Sequence, residues 1–298
     1  ARVLLERREV HRAERVADVS IEVEPGIRSI IGEIHVAGTK AVDSAFVRSL
    51  LATAPGRSFS ARDLAESQRN LYRTGLFGFA SVGLDTAHFV ASSGAVPLTI
   101  TVSEGPLHRA RSAVGYGTND CFRVGLGWTA RNAFGKGRIF DASAQVSKLG
   151  VGRPTGINAL RNSICNALKD DSIGSTRANY NFTTSFRRPV FFSPANALTV
   201  ALFVERRSEF AVYLREDIGG SLTFNRETQS QVPISIAYRL AYGFTEANAV
   251  SFCAFFNACT DTDIHQLRER RLSATLTFGV QRPRANNPLD PTRGSVLS

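Results

Sequence analysis

Hydrophobic and polar positions follow two different rules along this chain. From Leu107 onward they alternate with a period of two. In 121–129, Phe122, Val124, Leu126 and Trp128 share one face, and Arg123, Gly125, Gly127 and Thr129 the other. In 138–147, Phe140, Ala142, Ala144 and Val146 oppose Asp141, Ser143, Gln145 and Ser147. In 177–187, Tyr180, Phe182 and Phe186 oppose Asn179, Asn181, Thr183, Ser185 and Arg187. The pattern continues through 197–205, 214–225, 234–245 and 271–281, with Val200, Ile218, Ile236, Tyr238 and Leu276 on the apolar side and Asp217, Arg215, Arg239 and Thr275 on the polar side. Successive strand side chains point to opposite faces, so each segment predicts a strand with one apolar face.

Before Leu107 the pattern is mixed. Ile27 to about Val36 is rich in β-branched residues and predicts a strand, closed by the turn Ala37-Gly38-Thr39. Val42, Phe46, Val47, Leu50 and Leu51 then recur at helical spacing, with Asp43 early in the first turn and Ala54-Pro55-Gly56 as a stop. Ser60 is placed to N-cap a second helix over 61–75, with Leu64, Leu71 and alkyl stems as its inner face and Gly75 at its end. Two strands follow, 79–86 and 96–105. Strand, helix, helix, strand, strand is close to the smallest unit that buries one sheet face under two helices. The segment 17–26 matches 96–106 in alternation and in its acidic Pro/Gly ending. Residues 1–26 are therefore expected to be the last two strands of a preceding copy.

Alternation alone fits any sheet with one buried face, including a soluble sandwich. Three features favour a membrane. The segments run to about 9–12 residues, the length of a barrel strand. Short connections (132–137, 190–196, 227–232) lie on one side and long ones (153–175, 247–269) on the other, as in barrels with short periplasmic turns and long outer loops. Trp128, Phe134, Phe186, Phe191 and Phe192 gather beside the short turns, where an interfacial aromatic belt belongs.

Composition adds less. Of 298 residues, 43% are hydrophobic and 21% charged, which excludes a disordered or collagen-like chain. No apolar run reaches the length of about 18 residues or more that a spanning helix needs. The net charge of +10 fits nucleic acid, anionic lipid or a basic lumen equally well. The absence of Met and a first segment that reads as mid-strand lead to the expectation that the chain is an internal piece of a longer protein.

The strings GEIHVAGT (32–39), NLYRTGLF (70–77) and VSEGP (102–106), in this element order, resemble the polypeptide-transport-associated (POTRA) domain. RNAFGKG (131–137) and NPLDPTRG (287–294) stand at turns where the BamA and TamA type of outer-membrane assembly factor carries similar strings. The resemblance implies an α+β POTRA domain over 27–106 and the first eight or so strands of an antiparallel transmembrane β-barrel over 107–298, preceded by strands of another POTRA domain in 1–26. It implies a Gram-negative-type outer membrane with the POTRA domain in the periplasm. The implied partners are unfolded outer-membrane protein clients, outer-membrane lipid, and periplasmic or lipoprotein accessory subunits, with no nucleic acid. The implied function is assembly or insertion of outer-membrane barrels; the alternative is a polypeptide-transport pore of the two-partner secretion type.

The site residues expected on this reading are not catalytic. Phe79, Val82 and Leu84 mark a sheet margin placed to capture client chains by β-augmentation. Ser112, Val114, Gly115, Tyr116 and Gly117 form the first barrel strand, whose few large outward residues suit a lateral gate; Gly117 equally suits the tight turn that follows. Cys253 and Cys259 are placed for a local disulfide in an oxidising exterior, while Cys121 and Cys165 have no assigned partner. The five His are scattered without metal-ligand spacing, and there is no nucleophile elbow or P-loop. No cofactor, metal or enzymatic activity is expected. Asp141 and Asp217 read as parts of a solvated polar wall.

Overall fold

A computed structural model describes residues 2–11, 16–24, 29–85, 94–118, 120–162, 164–165, 177–209, 212–227, 232–285 and 292–297. The chain divides into two compact units, one of 1–72 with 77–103 and one of 73–76 with 104–298. The strand onset expected at Ile27, the strand end at Thr86, the turn at 228–231 and the string at 287–291 fall outside the described residues.

The first unit opens with a hairpin of β1 (Arg2–His11) and β2 (Val16–Glu24). Next come β3 (Ile30–Ala37), α1 (Ser44–Ser49), α2 (Ala61–Arg73), β4 (Phe77–Leu84) and β5 (Ala95–Glu104). The sheet order is β3-β5-β4, with β3 and β5 parallel. Gly38 ends β3 with a φ of +88°, and a Cβ there would strike the carbonyl of Val102, so only glycine fits. Asp43 is the N-cap of α1, one step outside the first turn, and accepts from Ala45 N. The core between helices and sheet is Ile31, Val47, Leu50, Leu71, Leu76, Leu98 and Ile100.

The inner face of α2 departs from the sequence expectation. Besides Leu71 it buries Ser67 and Asn70, while Leu64 is only half-buried. Ser67 Oγ accepts from Ala52 N (2.9 Å) and Asn70 Nδ2 donates to Leu50 O (2.9 Å). These two side chains satisfy backbone groups where α1 ends, which would otherwise be buried without a partner.

The second unit is an eight-stranded antiparallel meander, β6 through β13 in sequence order. The strands are β6 (His108–Gly117), β7 (Cys121–Arg131), β8 (Ile139–Leu149), β9 (Asn179–Arg188), β10 (Asn196–Glu209), β11 (Tyr213–Glu227), β12 (Pro233–Ala247) and β13 (Arg271–Val280). The sheet is open, with β6 and β13 at its margins. A separate two-stranded hairpin of β14 (Arg282–Ala285) and β15 (Gly294–Leu297) follows. The side carrying the long loops also has two tight connections, one after Gly117, at the turn the sequence offered there, and one after Glu209, which the sequence did not suggest.

Replacing Asn70 with Ala is expected to cost the first unit about 1–3 kcal/mol, because Leu50 O loses a buried donor. Denaturant unfolding of the first unit's transition in the full chain checks this; an unchanged midpoint would contradict it.

Candidate functional site: a two-faced wall and its edges

Register makes the two faces continuous. One row reads Leu126, Ala144, Phe182, Val204, Ile218, Tyr242 and Leu272 across seven strands. The adjacent row on the other face reads Gly125, Gln145, Asn181, Glu205, Asp217, Gly243 and Arg271. Because side chains alternate, a slip of one residue anywhere would exchange the faces. Leu126, Trp128, Phe182, Tyr238 and Leu276 are exposed on the apolar face. Phe122, expected beside them, is half-covered by a cluster of Cys121, Val151 and Cys165.

The apolar face has ends. At the short-turn side, rings meet in the pairs Trp128–Phe140, Phe134–Phe186, Phe191–Phe192 and Phe191–Phe224. Along β10 the outward residues are Leu198, Val200, Leu202 and Val204, then Arg206 and Ser208. From Leu198 to Val204 the strand advances about 20 Å, close to the apolar band of a barrel. The polar residues beyond it mark the outer boundary, which is why β10, β11 and β12 run to 14–15 residues.

That boundary is tied together by contacts the sequence pattern does not reveal. Arg206, 4% exposed, donates to Glu216 (3.1 Å), to the carbonyls of Arg177 and Ala178, and to Asn179 Oδ1. Glu216 also pairs with Arg270 at 2.8 Å. Arg177 ends one long loop and Arg270 the other, so one buried guanidinium and one carboxylate join the returns of both. Lys148, fully buried, donates to Ser208 Oγ at 2.8 Å.

Cys121 and Cys165 form a disulfide across 44 residues, with a Cα separation of 5.6 Å. Tyr116 Oη donates to Ile164 O beside it. The long loop is thus clasped to the first hairpin. The one legible hint was that both cysteines lie on the outer-loop side, where oxidation is permitted. Cys253 and Cys259 also form a disulfide, with a Cα separation of 4.4 Å, across the end of α4 (Ala249–Phe256), ahead of α5 (Asp261–Arg268).

On the polar face, Asp217 is 8% exposed and accepts from Arg215 at 2.6 Å, with Arg239 at 4.0 Å. It is a buried anchor rather than part of a solvated wall. Asp141 accepts from Thr129 Oγ1. Phe203 is an aromatic in this polar lining: its ring fills the space over Gly219, and Arg239 stacks on it at 3.8 Å. A polar cavity of about 790 Å3 opens near the outer end, lined in part by Arg123, Gln145, Asn181, Glu205 and Arg207.

The strand margins carry the other expected residues. In β6, Ser112 and Val114 are exposed, and Val114 and Tyr116 are the large residues of its outward row. The space over Gly115 is taken by the Arg123 side chain and that over Gly117 by Asp120. Gly117 O also accepts from Asp120 N in the turn, so this glycine serves the turn. In the first unit, β4 is a margin strand, with Phe79 and Leu84 exposed and Val82 half-buried. These residues belong to the first unit and those of β6 to the second. No cluster of three metal-ligating side chains occurs among the described residues.

An α+β unit followed by a two-faced antiparallel meander defines a class of outer-membrane protein, and comparison with known proteins agrees. Residues 29–105 match the family described as "POTRA: Surface antigen variable number repeat", and residues 132–298 match the Omp85 superfamily domain. The latter covers more than half of the chain, which therefore belongs to the Omp85 superfamily. It is an outer-membrane protein with a periplasmic POTRA region. A search among curated proteins returns no match. Among solved structures, BamA from Haemophilus ducreyi lacking POTRA domains 1-3 aligns with 99% of this chain and 52% of its own at 16% identity and a TM-score of 0.54. CdiB from Acinetobacter baumannii aligns with 96% and 47% at 13% identity and 0.55. CdiB from Escherichia coli aligns with 95% and 46% at 8% identity and 0.52. These likenesses concern the fold. The chain spans about half the length of the structures it matches.

Two outcomes follow from the wall and its clasp. Ile236→Arg, on the apolar face, is expected to cost about 2–4 kcal/mol in a bilayer, whereas Thr275→Arg on the polar face is tolerated; refolding titrations into vesicles compare them, and equal costs would contradict the face assignment. Cys165→Ser is expected to lower stability by about 2–4 kcal/mol through loss of the long-range cross-link; an unfolding midpoint identical to the parent would show that the clasp holds nothing.

Proposed function

We propose that this chain is the POTRA-to-barrel part of a pore that carries unfolded polypeptide across an outer membrane, of the two-partner secretion type. The observation that supports it is the polar face of the meander, which is charged and hydrogen-bonding along its length while the opposite face is apolar. Curled into a barrel, such a sheet encloses a lumen that offers an extended chain water and hydrogen-bonding groups but no continuous apolar surface. The POTRA margin at β4 receives the chain by strand addition. Residues 1–26 are, on this reading, the last strands of a preceding POTRA domain, with boundaries at 27–106 for the next and 107–298 for the barrel part.

A second reading, an insertion factor for other barrels, is favoured by the make-up of β6, whose outward row holds few large residues. A strand entering lipid must pair its backbone groups as it enters. A margin strand with few large outward residues has little side-chain packing to lose when it exchanges partners.

A photo-crosslinking residue placed at Asn181 or at Ser112 of the full-length protein in cells separates the two. Transport is expected to give adducts with exported polypeptide from Asn181. Adducts from Ser112 alone, with membrane barrels as the captured species, would overturn the pore in favour of insertion.

A further inference from the structure

The outer margin of β4 is not uniformly open. In a strand, backbone N–H and C=O groups of alternate residues point to the same side. Asp85 N donates to Pro97 O of β5 at 2.9 Å, so Asp85, Gly83 and Ser81 face β5. Ala80, Val82 and Leu84 face the margin. At Ala80 both margin groups are already occupied from α2. Its N–H donates to Tyr72 Oη at 3.1 Å, and its carbonyl accepts from Gln68 Nε2 at 3.0 Å. Gln68 and Tyr72 are four residues apart and so lie on one side of the helix.

Those two bonds are the ones a single residue of an added antiparallel strand would make in a hydrogen-bonded pair. The helix therefore stands in for one residue of a partner strand. Among the described residues, no hydrogen bond crosses this margin at Val82 or Leu84. Tyr72 remains 43% exposed, so its hydroxyl can turn to water when it leaves Ala80. Open strand margins invite wrong pairings, and proteins blunt them with local devices.

Resting on the capture reading above, we propose that Gln68 and Tyr72 are a displaceable guard on the POTRA margin. An extended polypeptide with alternating apolar side chains pairs first with Val82 and Leu84. It lengthens past Ala80 only by replacing the two side chains. The guard thereby confines pairing to Val82 and Leu84 until a chain displaces both side chains, and only a chain that continues the pairing without proline extends past Ala80.

The test uses the full chain in detergent and, as probe, a synthetic peptide with the sequence of residues 234–242, an alternating strand. Binding is read by fluorescence titration, and amide exchange of 77–85 is followed alongside. Gln68→Ala combined with Tyr72→Phe is expected to tighten binding about tenfold, since two hydrogen bonds no longer have to be displaced; Gln68→Ala alone should show part of the gain. Val82→Pro removes a margin N–H, tolerated at an edge, and is expected to abolish binding in both backgrounds. Unchanged affinity in the double variant, with Val82→Pro still abolishing binding, would overturn the guard and leave the capture reading standing. Binding that survives Val82→Pro, or no binding by the double variant, would overturn both.

Discussion

Every feature of this chain that bears on function comes back to one constraint: the backbone groups of a strand must be paired, and in lipid nothing outside the protein can pair them. The meander meets it internally from β7 to β12, where each strand has two neighbours. In the POTRA unit, β4 lies at a sheet margin. In a soluble protein such margins are hazards. On the proposed function, the margin groups of β4 are those with which another polypeptide is recognised without regard to its sequence.

The rest of the structure limits where that pairing occurs. The outer rim is braced by the Cys121–Cys165 disulfide, by Arg206 bridging Asn179 and Glu216, and by Arg270 closing on the same carboxylate. Each joins elements far apart in sequence, so the loops cannot drift from the strands that carry them. At the short-turn end the contacts are aromatic instead, with Phe134 and Phe192 almost fully exposed. The two ends of the wall are therefore held by different forces, covalent and charged outside, interfacial inside. Burial of Arg206 is tolerable because four hydrogen-bond acceptors surround it; removing one partner of such a group is far more damaging than its net contribution suggests.

Much of this was legible in the sequence because a period of two survives wherever one sheet face meets a different solvent from the other. The strands, their faces, the short-turn aromatics and the strand–helix–helix–strand–strand unit all follow from i to i+2 or i to i+4 geometry. What was not legible depends on contacts between distant residues. Cys121 and Cys165 carry no spacing signal. Asp217 looks like any lumen carboxylate until Arg215 and Arg239 are seen around it. The inner face of α2 escaped the hydrophobic pattern because Ser67, Gln68 and Asn70 serve backbone groups of other segments, and polar side chains at buried helical positions read as exposed ones.

The central claim, that the meander crosses a bilayer with its polar face turned to water, is tested most directly by spin-label accessibility along β10 of the full-length protein in lipid. Labels placed singly from Leu198 to Ser208 are compared for collision with oxygen and with a water-soluble paramagnetic reagent. The expected result is alternation, with oxygen favoured at Leu198, Val200, Leu202 and Val204, and water favoured at Thr199, Ala201, Glu205 and Arg207. Uniform exposure to the aqueous reagent, or an alternation of opposite phase, would contradict it.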